Sequence, residues 1–421
     1  MILLVACSST PVAIVTGNPA VGLDSADTAG ADTGDTAPPP EPLVTEEGVG
    51  DATVDNDWVF DDSFIHRVDI TLDDDAWYNL LTLPYDWAPA DLAIDGVPAP
   101  EVGLRLRGKI GSYRAITGKP KFKVDFNQYR DGRDFYGLEH LSLNNSVVDC
   151  SYLKEILGYK VVGMAGLPTL RTAFADVYVN GVDYGLYVLL ETPDKRWLER
   201  NYPDASGNLY DGKYLYDYTT GSYTLLDFVD SVDDYFQLEE GTDVSKADVY
   251  AVTAAHTAAY GSLQYEALTP MVDWPQLHRH LAVEQWLGHN DGYALNTNNY
   301  RFYFDPADTL MDMFIWDLDY AFLEDSWWGM SWGNPRGVLA AGCWADATCR
   351  ANQQAAVAAV LASLDTSALA TQLDTWDDLT AERAYTDPRR ECTAENVASY
   401  RQWVHDWIPY RGGYMASAWG L

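Results

Sequence analysis

Hydrophobic and polar residues alternate along several short stretches in the first half of the chain. Such alternation predicts half-buried β-strands, and these cover residues 66–72, 102–107, 121–126, 173–179 and 184–190. Asn180-Gly181 separates the last two, and Asp95-Gly96 lies in the stretch 92–97; both are hairpin turn sequences. The pattern therefore predicts a β-rich N-terminal part.

Helices are predicted in three segments of the first half and through most of the second half. The predicted helices cover residues 74–81, 149–164, 195–201, 244–265, 274–287, 351–364, 366–379 and 395–407. Asp149 or Ser151 suits the N-cap of the second helix. One hairpin, 299–304 with 311–316, interrupts the helical half. We expect an α+β protein with a β-rich lobe at 57–192 and a mostly helical lobe at 193–421.

The order of the predicted elements narrows the fold class further. A strand, a Gly-containing connection, a strand, a helix, a strand, a hairpin and a strand precede a connector into helices. This order is typical of the N-lobe of protein kinases. The sequence thus predicts an atypical two-lobed protein-kinase-like fold.

The chain begins with a segment that differs in composition from everything after it. Leu4-Val5-Ala6-Cys7 resembles the end of a bacterial lipoprotein signal, in which the Cys thiol is acylated. An acidic low-complexity tether rich in Ala, Asp, Thr and Pro follows, so that 1–56 is interpreted as a signal remnant and linker. The alternative is a buried strand with an incidental Cys. We expect Cys7 to be lipidated, which predicts an extracytoplasmic protein of the bacterial cell envelope, held to the membrane by lipid only.

The net charge of −36 excludes one class of partner. A nucleic-acid partner requires a basic face that displaces counterions from phosphates, and the chain has no extended basic face. Docking on an anionic membrane by charge is excluded for the same reason. The acidity favours solubility in a salty or extracellular medium, and a cationic substrate protein remains compatible with it.

Four cysteines remain besides Cys7, an even number that suggests disulfides in an exported protein. Cys343 and Cys349 flank a short polar loop and are the disulfide candidates, whereas the pairing of Cys150 and Cys392 stays open. Zinc is the alternative, although no Cys-x-x-Cys accompanies these residues. His278 and His280 are more typical of a satisfied pair than of a metal site.

The densest polar cluster is His289–Asn299, directly after a predicted helix. Asp291 and Asn296 have the D-x-x-x-x-N spacing that places a carboxylate beside an attacking hydroxyl and an amide near Mg²⁺. Capping and turn formation is the alternative for this cluster. Asp317 and Asp319 follow a predicted strand, with hard carboxylate oxygens that suit Mg²⁺. A Ca²⁺ site or ordinary surface acids are the alternatives, but the apolar flanks disfavour surface acids.

Basic residues are concentrated in one segment of this acidic chain, and an anionic ligand is the simplest reason for that. The segment contains Arg105, Arg107, Lys109, Arg114, Lys119, Lys121 and Lys123. Internal ion pairing is the alternative, and it is equally good for Arg105 and Arg107. Lys119, Lys121 and Lys123 all qualify as the lysine that contacts nucleotide phosphates. Glu155 on the next helix is its candidate partner.

The motifs in this order resemble the CotH spore-coat kinase-like family. They comprise Arg105-Leu-Arg-Gly108, Lys119–Phe126, Leu141–Asn145, Asp149-Cys-Ser151, Val177–Gly181, Tyr184–Glu191, Asn298-Asn-Tyr300 and Trp316-Asp-Leu-Asp319. The resemblance implies a secreted atypical protein kinase that uses ATP with Mg²⁺ or Mn²⁺ and phosphorylates Ser or Thr of exported proteins. It implies that Asp291 is the catalytic-loop Asp and that Asp317, supported by Asp319 and Asn296, binds metal.

The resemblance also implies nucleotide contacts at the β-rich lobe. These candidates are Lys119, Lys121, Lys123, Arg107, Ser112, Glu155 and, at the hinge position, Glu191. The segment after Arg107-Gly108 departs from the family pattern, as does Lys119-Pro-Lys121.

We expect a monomer. The alternative function is an inactive CotH-like scaffold or binding protein with an aromatic platform at Trp327–Trp332, and a glycosidase fits less well because no acid pair falls in a barrel-like strand series.

Overall fold

The N-terminal part of the chain folds into a closed β-barrel in the computed structural model of the protein. Its seven strands are β1 Ile65–Thr71, β2 Ala88–Ile94, β3 Val97–Arg107, β4 Lys121–Asp125, β5 His140–Asn144, β6 Thr172–Val179 and β7 Val182–Glu191. The order around the barrel is β1-β2-β3-β4-β5-β7-β6. Neighbours are antiparallel except β1 and β6, whose parallel pairing closes the sheet.

The structure describes residues 56–421 apart from 214, 218–221, 225, 260–262 and 326–328, together with the backbone of two short strands before them, Val44–Thr45 and Gly48–Val49. The described residues belong to one compact unit, Pro39–Leu421. Cys7, most of the 1–56 linker, and Trp327 and Trp328 of the predicted platform lie outside the described residues.

The barrel explains the alternation seen in the sequence. Each strand directs every second side chain inward, where apolar residues form one buried cluster that includes Leu104, Phe122, Leu141, Val177 and Leu189. The turns at Asp95-Gly96 and Asn180-Gly181 form as predicted, with the positive φ angles that such turns require. Strand β5 was not predicted, and neither was the closure of the sheet into a barrel.

A four-stranded antiparallel sheet and most of the helices form the rest of the molecule. The sheet has the order β9-β8-β10-β11, from β8 Asn208–Gly212, β9 Phe236–Glu240, β10 Tyr300–Asp305 and β11 Leu310–Ile315. The last two strands form the predicted hairpin, whereas β8 and β9 were missed. A two-stranded ribbon, Tyr216–Asp217 with Ser222–Tyr223, lies between them in sequence.

Each predicted helix forms at least in part, because apolar spacing marks the buried face of a helix. They are α1 Asp74–Thr82, α2 Lys154–Met164, α3 Lys195–Asn201, α4 Val232–Tyr235, α5 Ala247–Ala258, α6 Leu263–Leu268, α7 Trp274–Leu287, α8 Tyr293–Asn296, α9 Val338–Ala345, α10 Ala347–Ser363, α11 Thr366–Thr386 and α12 Ala394–Trp419. The mixed α+β composition, with a sheet-rich N-terminal part and a helical C-terminal part, is confirmed.

Several helices differ from the prediction. The predicted helix 244–265 is divided into α5 and α6, α10 begins at Ala347, and α11 continues to Thr386. The short helices α4, α8 and α9 were not predicted. Helix α2 begins at Lys154, after a turn in which Asp149 accepts the amide hydrogens of Ser151 and Lys154 at 2.9 Å each. Asp149 therefore organises the entry to the helix without being its N-cap. Helix α12 continues beyond Trp407, through Pro409, to Trp419.

Two disulfides are present among the described residues. Cys343–Cys349 links α9 to α10, as predicted, and Cys150–Cys392 links the segment before α2 to the segment before α12. The sulfur atoms of Cys343 and Cys349 are thus joined to each other in a structural bridge. His278 lies beside this bridge and forms a hydrogen bond with Gln353. In the described part of the chain, no single helix is long and apolar enough to cross a membrane, although the bent pair α10 and α11 passes by length and composition.

Candidate active site

A cleft of about 330 Å³ lies between the barrel and the four-stranded sheet. The barrel contributes β3, β4 and the Gly-containing connection after β3, and the other wall comes from β8, β10 and the segment that follows β11. Six of the predicted site residues line it: Arg107, Ser112, Lys123, Asp291, Asp317 and Asp319. The cleft therefore collects residues that are more than 200 positions apart in sequence.

The Asp291 carboxylate is held by three side-chain amides. Asn296 Nδ2 donates to Oδ1 at 2.6 Å, and Asn298 and Asn299 donate to Oδ2 at 3.2 and 3.0 Å. Gly288 is the C-cap of helix α7, and its left-handed backbone turns the chain towards the cleft before α8 begins. Burial raises the pKa of Asp291 to about 7. The side chains of Asp291 and Asn296 are thus in direct contact.

Asp317 and Asp319 follow β11 and face the same cleft. Asp317 has a left-handed backbone, with φ of +50°, and precedes one 3₁₀ turn, Leu318–Tyr320. Asn299 Nδ2 donates to the Asp317 carbonyl at 3.3 Å as well as to Asp291. This one amide therefore ties the Asp291 loop to the start of the Asp317-Leu318-Asp319 turn.

Lys121 joins the two carboxylates from the barrel side. Its Nζ lies 2.7 Å from Asp319 Oδ2 and 3.3 Å from Asp317 Oδ1, and its side chain is 1% exposed. Burial lowers the pKa of Lys121, but the attraction of the two carboxylates outweighs burial and raises the pKa above its ordinary value. Of the three candidate lysines, Lys121 is the one that reaches the acidic pair.

The two acids respond differently to this environment. Burial would raise the pKa of Asp317, but attraction by Lys121 and Arg107 lowers it. Burial and repulsion from Asp317 raise the pKa of Asp319 to about 6. Two carboxylates this close cannot both ionise freely without a cation between them.

Divalent metal fits this donor set. The Lys121 ammonium already bridges Asp317 and Asp319, which shows that the pair converges on one positive charge. Carboxylate oxygens near a carboxamide are the hard ligands that Mg²⁺ or Mn²⁺ takes in proteins. Asn296 contacts Asp291, which lines the same cleft as this pair.

Glu155 lies close to Lys121 but has a different hydrogen-bond partner. Glu155 on α2 is 2% exposed, and its carboxyl group accepts a hydrogen bond from Asn144 Nδ2 at 2.6 Å. Burial raises the pKa of Glu155 to about 8, although attraction by Lys121 opposes this. In this structure, Lys121 bonds to Asp319 and Asp317, and Glu155 is a buried neighbour of the three.

Lys119 does not face the cleft, which corrects its candidacy as a phosphate contact. Its Nζ lies 2.5 Å from Asp387 Oδ2 and donates to the Leu186 carbonyl at 2.8 Å. Asp387 also accepts from Tyr152 Oη at 3.1 Å. Lys119 precedes the first residue of β4, so the strand alternation that orients Lys121 and Lys123 does not apply to it.

Glu191 also lies outside the cleft lining, which corrects its predicted nucleotide contact. Its carboxylate pairs with Arg171, at 2.7 Å, and with Arg200 on α3. Next to it, Ser142 and Thr192 line the cleft, with their hydroxyl oxygens 3.2 Å apart. The end of β7 therefore contributes Thr192 to the cleft, and Glu191 anchors the exit of the barrel.

Four of the remaining predicted basic residues line the cleft, namely Arg105, Arg107, Lys109 and Lys123, whereas Arg114 pairs with Glu391. Arg105 and Arg107 on β3 are paired in register with Lys123 and Lys121 on β4. Burial, followed by repulsion from Arg301, lowers the pKa of Lys123 to about 8. Cations gathered in this way in an acidic protein favour an anionic ligand.

Arg301 was missed by sequence reasoning, as was the role of Trp316. Arg301 on β10 donates to Asp211 at 2.6 Å, and its guanidinium lies 4.4 Å from the Trp316 ring centre, with Arg107 at 5.1 Å from the same ring. All four line the cleft. The available signal was a charged residue inside an aromatic strand, Tyr300-Arg-Phe, in the hairpin that leads to Asp317.

The family of the chain follows from a comparison over this same region. The family model described as CotH kinase protein matches residues 104–415. This range runs from β3 through most of α12 and includes every cleft residue named above. The chain belongs to the CotH kinase protein family. The resemblance read from the motifs is therefore confirmed.

Two other comparisons add little to the CotH assignment. A search of curated proteins found no match to the sequence. Among solved structures, a chain from the complex of the Shewanella oneidensis MR-1 toxin–antitoxin system proteins HipA and HipB with operator DNA is similar at 14% identity. The alignment covers 82% of this CotH-family chain and 80% of that chain, with a TM-score of 0.31. A score at that level carries no argument about function.

Proposed function

We propose that this CotH-family protein is an extracytoplasmic, metal-dependent protein kinase with a two-lobed kinase-like fold, which transfers the γ-phosphate of ATP to Ser or Thr of exported proteins. The observation that carries the proposal is the convergence of three groups on one cleft. These are Asp291 with its amide clamp, the Asp317–Asp319 pair, and Lys121 between the two acids.

Asp291 is the residue that would receive the acceptor hydroxyl. Its carboxylate is oriented by Asn296, Asn298 and Asn299, so one oxygen lone pair can point to a hydroxyl in the cleft without a change of loop conformation. The serine or threonine O–H would donate to this carboxylate, which accepts the proton as the oxygen attacks the γ-phosphorus. The bond from that phosphorus to the β,γ-bridging oxygen breaks at the same time, and ADP leaves.

Asp317, Asp319 and Asn296 would hold Mg²⁺ or Mn²⁺. A divalent ion bound there supplies neutralisation of phosphate charge during transfer. Lys121, Arg107 and Lys123 contribute cationic groups along the β3–β4 wall, where the phosphate chain of ATP is expected to lie. Ser112 lies on the connection that lines the same wall.

The location outside the cytoplasm remains part of the proposal. It rests on the lipoprotein-like sequence ending at Cys7 and on the preference of disulfides for oxidising compartments. A monomer with a lipid anchor and an exported protein substrate is the arrangement we propose. Metabolic labelling with a palmitate analogue, compared between wild type and Cys7→Ala, tests the anchor, and equal labelling of the two proteins rules it out.

Phosphotransfer is tested with the full-length chain, Mg²⁺ or Mn²⁺, γ-labelled ATP and a generic protein substrate. We expect metal-dependent labelling that is lost in Asp291→Asn and retained in Asp308→Asn, an exposed acid on the β10–β11 turn. Nucleotide-dependent thermal stabilisation without any labelling would instead support the inactive scaffold. The absence of both stabilisation and labelling would reject a nucleotide-binding protein altogether.

A further inference from the structure

A buried glutamate on α7 contacts the backbone directly behind the Asp291 loop. Glu284 is 0% exposed, and its Oε1 accepts the Tyr293 amide hydrogen at 2.7 Å while its Oε2 accepts that of Ala294 at 3.0 Å. Tyr293 and Ala294 are the first two residues of α8, and Asn296 is its last. Both carboxylate oxygens of Glu284 thus hold the short helix that connects Asp291 to Asn296.

Gly292 shows how closely the loop is folded over this carboxylate. A Cβ atom at Gly292 would lie 2.3 Å from Glu284 Oε1 and 2.7 Å from His289 Cδ2. Real Cβ atoms do not approach that closely, so the residue after Asp291 has to be glycine for the contact to form. The requirement here is close approach, because the φ angle of Gly292 is −78°.

His280 extends the contact to the strand that leads to Asp317. Its Nε2 lies 3.1 Å from Glu284 Oε1, one helical turn away, and its Nδ1 lies 3.2 Å from the Met313 carbonyl oxygen. A carbonyl oxygen only accepts, so Nδ1 carries the proton in this bond. Met313 is on β11, four residues before Asp317. One buried pair therefore contacts α7, α8 and β11 together.

We propose that Glu284 is a positioning residue, which with His280 sets the Asp291 loop at its working distance from the Asp317–Asp319 turn. Burying a carboxylate beside an imidazole is costly, and apolar residues of similar volume often stabilise a fold as well or better. What an apolar pair cannot supply is two directed acceptors for the α8 amides. The inference rests on the proposed phosphotransfer for its functional consequence and on geometry for its structural part.

Glu284→Gln provides the kinetic test, because it keeps the volume and replaces one acceptor with an NH₂ group that faces a backbone donor. We expect kcat for phosphotransfer to fall about 100-fold, as for a misplacement of about 1 Å, with KM for ATP within about twofold of wild type. Glu382→Gln, at an exposed position on α11, is the matched control and should leave both constants unchanged. An unchanged kcat in Glu284→Gln, or a loss no larger than the unfolded fraction of the sample, overturns the inference.

A second variant tests the same contact from the side of the Asp291 loop. Gly292→Ala should reduce kcat similarly on its own, since the new methyl group displaces the Glu284 carboxylate. If both changes act on the same contact, their effects in the double variant Glu284→Gln/Gly292→Ala should fall well short of the sum of the separate effects. Additive losses would show that Gly292 and Glu284 act separately and would reject the contact as the cause.

Hydrogen exchange separates this inference from the proposed activity. In Glu284→Gln, the peptide that contains the Tyr293 and Ala294 amides should exchange at least tenfold faster, while peptides from β3 and β4 should keep their wild-type rates. Wild-type protein that transfers no phosphate but shows this change would refute the kinase proposal and leave the positioning contact in place. Unchanged exchange at both amides would refute the positioning contact whatever the activity.

Discussion

The Lys121 ammonium and the Asp319 carboxylate are 2.7 Å apart across the cleft, although 198 residues separate them in the chain. Lys121 is the first residue of β4 in the barrel, and Asp319 lies in the 3₁₀ turn after β11. This pair joins the two halves of the molecule at the point where the site acids converge. It also distinguishes Lys121 from Lys119 two positions earlier, which is bonded to Asp387.

The two lysines should therefore fail in different ways when changed to methionine. Lys121→Met removes the cation that lies between Asp317 and Asp319, and it should reduce phosphotransfer at least about 100-fold, more than the unfolded fraction of the variant explains. Lys119→Met leaves the Asp387 carboxylate buried without its partner and should lower the free energy of unfolding by about 3–5 kcal/mol. Chemical denaturation and labelling by γ-labelled ATP measure the two effects. A stable but inactive Lys119→Met protein would contradict this assignment.

The Asp317–Asp319 pair should account for stabilisation by divalent metal. Titration of the wild type with Mn²⁺ should raise its melting temperature, because a ligand that binds only the folded state stabilises it. Asp317→Asn should abolish the metal-dependent shift, and chelation with EDTA should reverse it in the wild type. Asp308→Asn serves as the control on the same hairpin. A shift that persists in Asp317→Asn would place the metal elsewhere.

The pH dependence of phosphotransfer should report the ionisation of Asp291. Burial raises the pKa of this carboxyl to about 7, and only the carboxylate accepts the hydroxyl proton. The rate should therefore increase as the pH rises through 7, by about tenfold between pH 6 and pH 8. The residual rate of Asp291→Asn should show no such step. A profile that falls over this interval would exclude Asp291 as the base.

His140 should make stability depend on pH in the opposite sense. Burial lowers its pKa, but bonds to Asp125 and Asp194 outweigh burial and raise the pKa to about 9. Because the pKa of His140 is higher in the folded state, its protonation stabilises the fold fully at pH values below the unfolded-state pKa of 6.5. This stabilisation is lost as the pH rises through about 9. His140→Gln should thus cost about 3 kcal/mol at pH 6 and little at pH 10. Equal losses of unfolding free energy at both pH values would contradict the ion pairing.

The two disulfides should differ in their contribution to stability. Cys150–Cys392 closes a loop with a sequence separation of 242, and Cys343–Cys349 one with a separation of 6. Because loop-closure entropy grows with loop length, replacing the first pair with serine should cost about 4–5 kcal/mol and replacing the second about 2 kcal/mol. Thermal and chemical unfolding of the two double variants measure the difference. A larger loss for the short loop would show that local packing outweighs loop length.

Several parts of the site could be predicted because their residues are close in sequence. Asp291 and Asn296 are five residues apart across one short helix, and their contact follows from that spacing. Cys343 and Cys349 are bridged over a short polar loop, as their spacing suggested. Strand alternation and the Asn180-Gly181 turn likewise act over a few residues, so the strands they predicted formed at nearly the predicted bounds.

Other parts depend on contacts between distant segments, which no local pattern records. The parallel pairing of β1 with β6 closes the barrel. Glu191 forms ion pairs with Arg171 and Arg200 outside the cleft lining, whereas Arg301 on β10 lines the cleft.

The sequence by itself determined most of the barrel strands and the longer helices, the disulfide across the short loop, and the identity of the acids in the Asp291 and Asp317 motifs, because periodicity and short spacing act within one element. Only the tertiary structure decided which lysine meets those acids, that Cys150 pairs with Cys392, and that Glu284 lies behind the Asp291 loop. The physical reason is that packing sets which faces of distant elements come together, and the energy of each such contact is shared between residues that are far apart in the chain.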